Sequence, residues 1–544
     1  MFLQSLEVEN FRAIRSGSIT FDHTTVLIGE NDSGRSSLLE ALSLVLTAPE
    51  GPNPFAFEAH HFHRDEQGVS GPIRIAVGLA ERQTGDWELP DAIATALPQM
   101  RRGKRTAVFE VTATLNGQSI TTSWRIRSEP GGRDALERDP VALEWVRRCS
   151  PMLWMREGIL QWNRLPSALP SRRGGSDTIE PLLERVQQHY RNVLSATSGQ
   201  LQQELDSGFE AAKAILESLP PAQAGDRTEV RAILREITGR SEPGPAAPLR
   251  LQGTAAQKIG LLLLMGGILG EASRTPHEAE VIVIEDPEVH LHPMTLAVIW
   301  RLLERFAKQK IIATHSGTLL ANAPLASLRR LTRRDGVVKE WRIPPRRLSR
   351  EHLRRLTYHV RSRRGVAMFA RCWLLVEGET EFWVLPELAQ LCGYDFGAEG
   401  VVCVEFAQCG LEPLIKTAEN LGIEWHVLAD GDDAGHQYAA SARAFVRPGA
   451  DAERITLLPV RDIENCFWHA GYEHVFRRLA FPNGAPGSAS PRQVISKAIE
   501  RRSKPFVALQ LVEAAAEQGA AGVPAVLRQM IETCVKLART GAGQ

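Results

Sequence analysis

The chain has 544 residues, with 64 Lys and Arg against 64 Asp and Glu. That length holds two or more domains with separate cores, and the neutral total selects no polyanionic partner. Seven cysteines, an odd number without C-x-x-C spacing, argue against a disulfide framework and a structural zinc site. The longest apolar run, Ile259–Leu269, is too short to span a bilayer, and no signal pattern precedes Leu6, so a soluble, cytoplasmic protein with no membrane partner is expected.

Phe2–Val8 alternates apolar and polar residues and reaches a turn at Asn10-Phe11-Arg12; Ile19–Phe21 and Thr25–Ile28 read as further strands. Gly29-Glu30-Asn31-Asp32-Ser33-Gly34-Arg35-Ser36-Ser37 then runs into Leu38–Leu42, giving strand, Gly-rich turn and helix. That is the setting a phosphate-binding loop requires, with backbone N–H groups and the helix N-terminus cradling phosphates. Gly29, Asn31, Gly34, Arg35, Ser36 and Ser37 are the candidate nucleotide-binding residues, and Ser36 is placed to reach Mg²⁺. The pattern G-x-x-x-x-G-K-[ST] is met except at its lysine, here Arg35, whose wider planar fork delivers its charge differently. Standing alone, the motif would pass for an ordinary Gly/Ser turn.

It does not stand alone. Val281–Ile284 is a β-branched strand ending in Glu285-Asp286, which reads as a Walker B strand. Glu285 would lie near Mg²⁺ and Asp286 would orient an attacking water. Lys310–Ala313 is another buried strand, followed by His315, placed to sense a γ-phosphate. Leu251–Lys258 opens a helix where an ABC signature loop would lie, matching Leu-Ser-Gly-Gly-Gln poorly. Residues 73–127 read as strands Ile73–Leu79, Ala107–Leu115 and Gln118–Arg127. Residues 177–240 carry helical spacing (Leu182, Leu183, Val186, Tyr190; then Leu201, Leu205, Phe209, Leu216), a helical insertion suited to dimerisation. His290 and His292, and the group His60, His61 and His63, are more simply structural than metal-binding.

The ordered set of Walker A, signature-like helix, Walker B and histidine resembles the ABC ATPase heads of the SMC, Rad50 and RecF kind. In those, the nucleotide sits between two heads, so the resemblance implies a homodimer, ATP and Mg²⁺.

Arg329–Arg364 holds 14 basic residues against Asp335, Glu340 and Glu351. It reads as a basic linker (residues 329–365), either a solvated surface or a hold on the phosphodiester backbone. The head is expected over residues 1–328.

Beyond the linker, Leu374–Val376 ends in Glu377-Gly378-Glu379-Thr380-Glu381, and Val427–Ala429 ends in Asp430-Gly431-Asp432. Such runs read as strands of a parallel sheet, whose carboxyl ends gather ligands. Glu377, Asp430 and Asp432 would meet there, Glu381 would join from the following helix, and Glu464 is a further candidate. Carboxylates that close stay ionised only with cations, and hard oxygen ligands favour Mg²⁺ or Mn²⁺. Strand-end acids are also ordinary helix caps, the plainer account of any one of them. The glutamate followed by Asp-x-Asp resembles the Toprim domain, expected over residues 366–475 with β, helix, β, helix, β, helix from Cys372 to Phe445. Residues 476–544 are expected as a helical extension, with Ser496–Leu511 running from loop into helix.

The expected fold is α/β throughout: an ABC head, a Toprim domain with a parallel sheet, and a helical tail. A head followed by Toprim in one chain resembles the OLD (overcoming lysogenisation defect) family, over nearly the whole length. That resemblance implies two-metal cleavage of DNA with ATP as gate or regulator. It also implies a lysine after the metal ligands: Lys504, with Ala508 and Leu511 in loose register, or its rival Lys497. Glu377, Asp430, Asp432 and Lys504 would be the catalytic set. The same resemblance admits a helicase or another defence or repair protein as partner. The alternative is a nucleotide-switched DNA-binding repair scaffold with a vestigial acidic cluster.

Overall fold

The computed structural model describes most of residues 2–162, parts of 186–217 and 249–263, and most of 281–541; the longer stretches outside it are 163–185, 192–199, 218–248, 251–258, 264–280 and 357–364. The signature-like segment and most of the helical insertion therefore lie outside the described residues. The chain divides into two compact units, Met1–Glu340 and Trp341–Gln544.

Unit one is built on a sheet of 14 strands among the described residues. In chain order these are β1 (Phe2–Phe11), β2 (Ile14–Thr20), β3 (Thr24–Gly29), β4 (Ile73–Ala80), β5 (Thr106–Asn116), β6 (Ser119–Arg127), β7 (Ala135–Glu137), β8 (Met152–Arg156), β9 (Ile159–Trp162), β10 (Leu249–Arg250), β11 (Val281–Glu285), β12 (Gln309–Ala313), β13 (Leu328–Arg334) and β14 (Val337–Trp341). Their order across the sheet is β10-β9-β8-β11-β12-β3-β13-β14-β2-β1-β4-β5-β6-β7. β8, β11, β12, β3 and β13 run parallel to one another. All five residues of β11 and of β12 are buried, as expected of strands covered on both faces. β1, β4, β5 and β6 form an antiparallel wing whose alternating residues (Leu6, Val8, Ile75, Val77, Phe109, Val111) enter the core.

Helix α1 (Arg35–Leu46) follows β3 directly and buries Leu38, Leu39, Leu42 and Val45 against that core. Helix α2 (Gln200–Glu217) carries the predicted spacing, with Leu205 and Phe209 buried.

The basic stretch that begins at Arg329 departs from its expected role as a linker. Its first third is β13 and β14, inside the sheet, and Arg329 and Arg330 are 1% and 2% exposed. Arg329 is ion-paired with Asp22 and, at 2.8 Å, with Glu340. Charge runs belong on surfaces only when no carboxylate meets them inside; here Glu340 does, and Asp22 reaches in from the surface.

Unit two contains a four-stranded sheet ordered β16-β15-β17-β18, where β15 is Cys372–Val376, β16 Val401–Glu405, β17 Glu424–Ala429 and β18 Ile455–Leu457. Every pairing is parallel. Helices α3 (Glu379–Leu391), α4 (Leu411–Asn420) and α5 (Asp433–Arg443) connect the strands. Then come α6 (Ile463–Phe467), α7 (Glu473–Ala480), α8 (Pro491–Arg502), α9 (Lys504–Ala516) and α10 (Ala525–Thr540). Leu374, Val376, Leu385, Phe467, Phe476, Val507, Leu511 and Met530 share one core, so the helical tail is packed into the unit.

Ser496–Leu511 is not loop into helix. It spans the end of α8, a single break at Ser503, and α9. Ser503 has φ +86°, a left-handed value unusual for a residue with a side chain. The described cysteines are free thiols, and no described helix is long and apolar enough to cross a membrane.

Candidate functional site

The Gly-rich loop after β3 is set by close approach. A Cβ on Gly29 would lie 2.5 Å from the Leu331 carbonyl of β13, and one on Gly34 (φ +92°) 2.9 Å from Val338 of β14. Only glycine lets the chain turn between these strands and enter α1. Asn31 and Ser36 are exposed at the loop, Ser37 is half-buried, and Ser33 is buried. Arg333 of β13 clamps the loop from outside, its Nε donating to the Asp32 carbonyl at 2.6 Å and one η nitrogen to the Ala13 carbonyl at 2.9 Å.

Arg35 does not lie over the loop. It is 6% exposed and donates to the Thr314 carbonyl at 2.9 Å, while its other η nitrogen contacts the His315 ring. Burial lowers its pKa, with Asp286, Glu288 and Glu285 pulling it back. Burial and then Arg35 lower the pKa of His315, with Asp286, 3.9 Å away, pulling the other way. Glu285 is buried at the end of β11, and Asp286 turns with φ +46°. The parallel register thus brings Gly29–Arg35, Glu285–Asp286 and His315 to one end of the sheet.

Glu288 is a residue the sequence reading left without a role. Its carboxylate accepts from the Thr314 hydroxyl at 2.9 Å and from the His315 N–H at 2.6 Å. A glutamate two residues past an acidic strand end was the available signal. His290 lies outside the described residues and His292 is exposed. His61 stacks on Phe11 at 5.4 Å between ring centroids and His63 bonds the Arg12 carbonyl, so both are structural.

In unit two, β15 and β17 are neighbours, and they deliver Glu377 and Asp430 to the same end of the sheet. Glycine again governs the approach: a Cβ on Gly431 would lie 2.3 Å from the Val460 carbonyl, and one on Gly435 would overlap the Asp430 carbonyl. Burial raises Asp430 to about 8, and Glu381, Glu377 and Asp462 push the same way. Burial and then Asp432 raise Glu377. Burial also raises Glu381 and Glu464, against the pull of Lys504.

Lys504 is the cation of this cluster. Its ammonium lies 3.3 Å from Glu464. Burial opposes its charge, but Glu464, Glu381 and Asp430 outweigh that and raise its pKa. Lys497 instead sits 4.7 Å over the Phe481 ring. Asp432 caps α5, accepting from the Gly435 N–H at 2.9 Å, and Asp462 caps α6 in the same way through the Asn465 N–H at 2.8 Å. Sequence reasoning missed Asp462, which stands two before Glu464, and also Cys466, raised to about 12 by burial and then Asp462.

Glu381, Glu377 and Asp462 all help to raise Asp430, yet among the described residues no three acidic, His or Cys groups converge on one coordination point. The donor set nevertheless suits hard divalent cations: it is all oxygen, Glu377 Oε2 and Glu464 Oε2 are buried without a hydrogen bond, and Glu464 Oε1 is met by the Lys504 ammonium at 3.3 Å.

Fold and site together define an α/β protein with one large mixed sheet that carries a Gly-rich loop and a second, parallel sheet of the Toprim type. Residues 1–367 match the family described as "Protein of unknown function (DUF2813)", and the chain belongs to it. Residues 368–432 match the Toprim domain described as overcoming lysogenization defect protein-like. The Escherichia coli K12 protein titled "Uncharacterized protein YbjD" is 33% identical over 586 residues, covering 99% of both chains. The DNA replication and repair protein RecF of Nostoc punctiforme is 32% identical over 123 residues, 22% of this chain and 27% of its own. Among solved structures, the C-terminal region of the Burkholderia pseudomallei OLD protein is 19% identical with a TM-score of 0.28, covering 31% of this chain and 99% of that one.

Proposed function

We propose that this protein is a metal-dependent DNA endonuclease regulated by ATP. The observation that carries the reading is the gathering of Glu377, Glu381, Asp430 and Glu464 at one sheet edge around a single lysine. Four carboxylates against one ammonium leave a net negative basin, which a scissile phosphate enters only when cations offset the charge. Glu377, Asp430 and Asp432, with Glu381 and Glu464 behind them, would hold two Mg²⁺ or Mn²⁺ ions. Bound there, such ions supply a water of lowered pKa and stabilise a leaving oxygen.

Glu377, partly open and with its pKa raised, takes the proton from the attacking water. Asp430, displaced furthest from its ordinary value, is the ligand most dependent on a cation. Lys504 places positive charge where the phosphorane-like transition state gathers negative charge. DNA as substrate follows the OLD and RecF resemblances, as does a homodimer closing over ATP and Mg²⁺. The head would span residues 1–340, and the nuclease unit 341–544, in place of a separate linker.

Plasmid cleavage in Mg²⁺ or Mn²⁺, with and without ATP, tests this. Wild-type protein is expected to nick or cut, and Asp430→Ala to lose at least about a thousandfold in rate while binding DNA normally. Cleavage that persists in clean Asp430→Ala protein rejects the site. A second reading, a nucleotide-switched scaffold without cleavage, is favoured by Arg35 being turned away from the loop; it predicts ATP-dependent DNA retention and no cutting by wild type.

A further inference from the structure

Arg35 stands where the phosphate-loop pattern carries lysine, and its bonding is unlike that of a phosphate ligand. One η nitrogen donates to the Thr314 carbonyl at 2.9 Å and the other contacts both ring nitrogens of His315, 3.2 Å from Nδ1. The same two residues are held from the opposite side by Glu288, through the His315 N–H at 2.6 Å and the Thr314 hydroxyl at 2.9 Å. Glu288 therefore fixes the backbone past β12, and Arg35 fixes the carbonyl and the ring.

We propose that Arg35 is the positioning residue of His315, and that polyphosphate in the Gly29–Ser37 loop competes with His315 for its guanidinium. The inference rests on reading that loop as a nucleotide site. A guanidinium is a rigid fork whose donors leave in fixed directions, so the two η nitrogens that grip Thr314 and His315 do not also point across the loop. Engaging phosphate requires the side chain to rotate out, and the ring is released when it does. The nucleotide thereby changes the freedom of a side chain 3.9 Å from Asp286, the acid placed to orient water. A lysine would hold the two groups less rigidly: its ammonium is a point charge on a flexible stem, without the fixed fork that ties carbonyl and ring together. Arginine here is thus a switch element rather than a defective lysine, and its cost is affinity spent on breaking the grip.

The test is nucleotide affinity of the full chain, read with fluorescent ATP and ADP analogues and Mg²⁺. Wild type, His315→Ala, Arg35→Lys and the double variant form a cycle. Removing the competitor in His315→Ala is expected to tighten both nucleotides by about fivefold, and Arg35→Lys to tighten them similarly. In the Arg35→Lys background the His315→Ala change is expected to have less than about a twofold effect.

Two results overturn the inference: His315→Ala weakening ATP while sparing ADP, which marks a direct γ-phosphate contact, or equal effects of His315→Ala in both backgrounds. Absence of binding by wild type and every variant instead removes the nucleotide reading of the loop and this inference with it. Thermal melts confirm folding; if His315→Ala unfolds the head, His315→Asn, whose shorter amide leaves Arg35 behind, takes its place in the cycle.

Discussion

The two units solve the same problem in opposite ways. Each ends a parallel strand in an acid, so each collects charge at one end of its sheet. In unit one the acids meet donors of the fold: Arg35 lies among Asp286, Glu288 and Glu285, Glu288 also accepts from the Thr314 hydroxyl and the His315 N–H, and Arg333 pins Asp32. In unit two the acids outnumber their cation. Glu377, Glu381, Asp430 and Glu464 all have raised pKa values, and Lys504 is the ammonium they share. A cluster whose acids are bonded within the fold persists without added ions, whereas one whose carboxylates share a single ammonium stores repulsion that a divalent cation relieves.

Removing the one cation strikes the unbalanced site hardest. Lys504→Gln is expected to slow plasmid cleavage by about a hundredfold, with DNA affinity nearly unchanged, because it removes charge stabilisation of the transition state. Lys497→Gln, which only loses its place over Phe481, is expected to cleave at the wild-type rate. If the two variants swap behaviours, the lysine is misassigned and the charge ledger of unit two changes with it.

A smaller effect isolates the stored repulsion. An unfolded aspartate titrates near 4, and burial among Glu381 and Glu377 raises Asp430 to about 8. A raised carboxylate adds its full stability below its unfolded pKa and loses it as pH rises through the folded value. In EDTA, Asp430→Asn is therefore expected to melt roughly 3–8 °C above wild type at pH 8.5, with the gap closing toward pH 5. Mg²⁺ or Mn²⁺ is expected to raise wild type and leave Asp430→Asn little changed. A gap that widens on acidification contradicts the placement of Asp430.

Much of this was legible because parallel strands are buried on both faces and therefore spell continuous apolar runs. Val281–Glu285, Gln309–Ala313, Cys372–Val376 and Glu424–Ala429 stand in the structure almost where their residues place them. The adjacency of the strands bearing Glu377 and Asp430 follows as well. What sequence did not disclose depends on partners far along the chain. Arg329 looks like surface charge until Glu340 and the exposed Asp22 pair with it. Arg35 looks like a phosphate ligand until Thr314 and His315, some 280 positions away, are set beside it. Asp432 reads as a metal ligand, and it is also a helix cap. The choice between Lys504 and Lys497 required knowing that one helix stops and another starts at Ser503, and serine carries no signal for a left-handed backbone.

That serine supports the finest test. Its φ of +86° and ψ of 149° belong to a region that glycine occupies with little strain and other residues rarely enter. The surrounding bonds hold it there: its N–H donates to the Ile499 carbonyl at 2.9 Å and its carbonyl accepts from the Val507 N–H at 3.2 Å. These close α8 and open α9 in one residue, so Lys504 leaves the first turn of α9 toward Glu464. Ser503→Gly keeps that geometry and relieves the strain, while glycine's looser unfolded chain offsets part of the gain. The expected net is a stabilisation of about 0.5–1 kcal/mol with cleavage unchanged. Ser503→Pro cannot reach the same φ and loses the bond to Ile499, so it is expected to misplace Lys504 and to lower cleavage toward the Lys504→Gln rate. Destabilisation by glycine would mean that the serine side chain, not the backbone turn, holds the two helices in register.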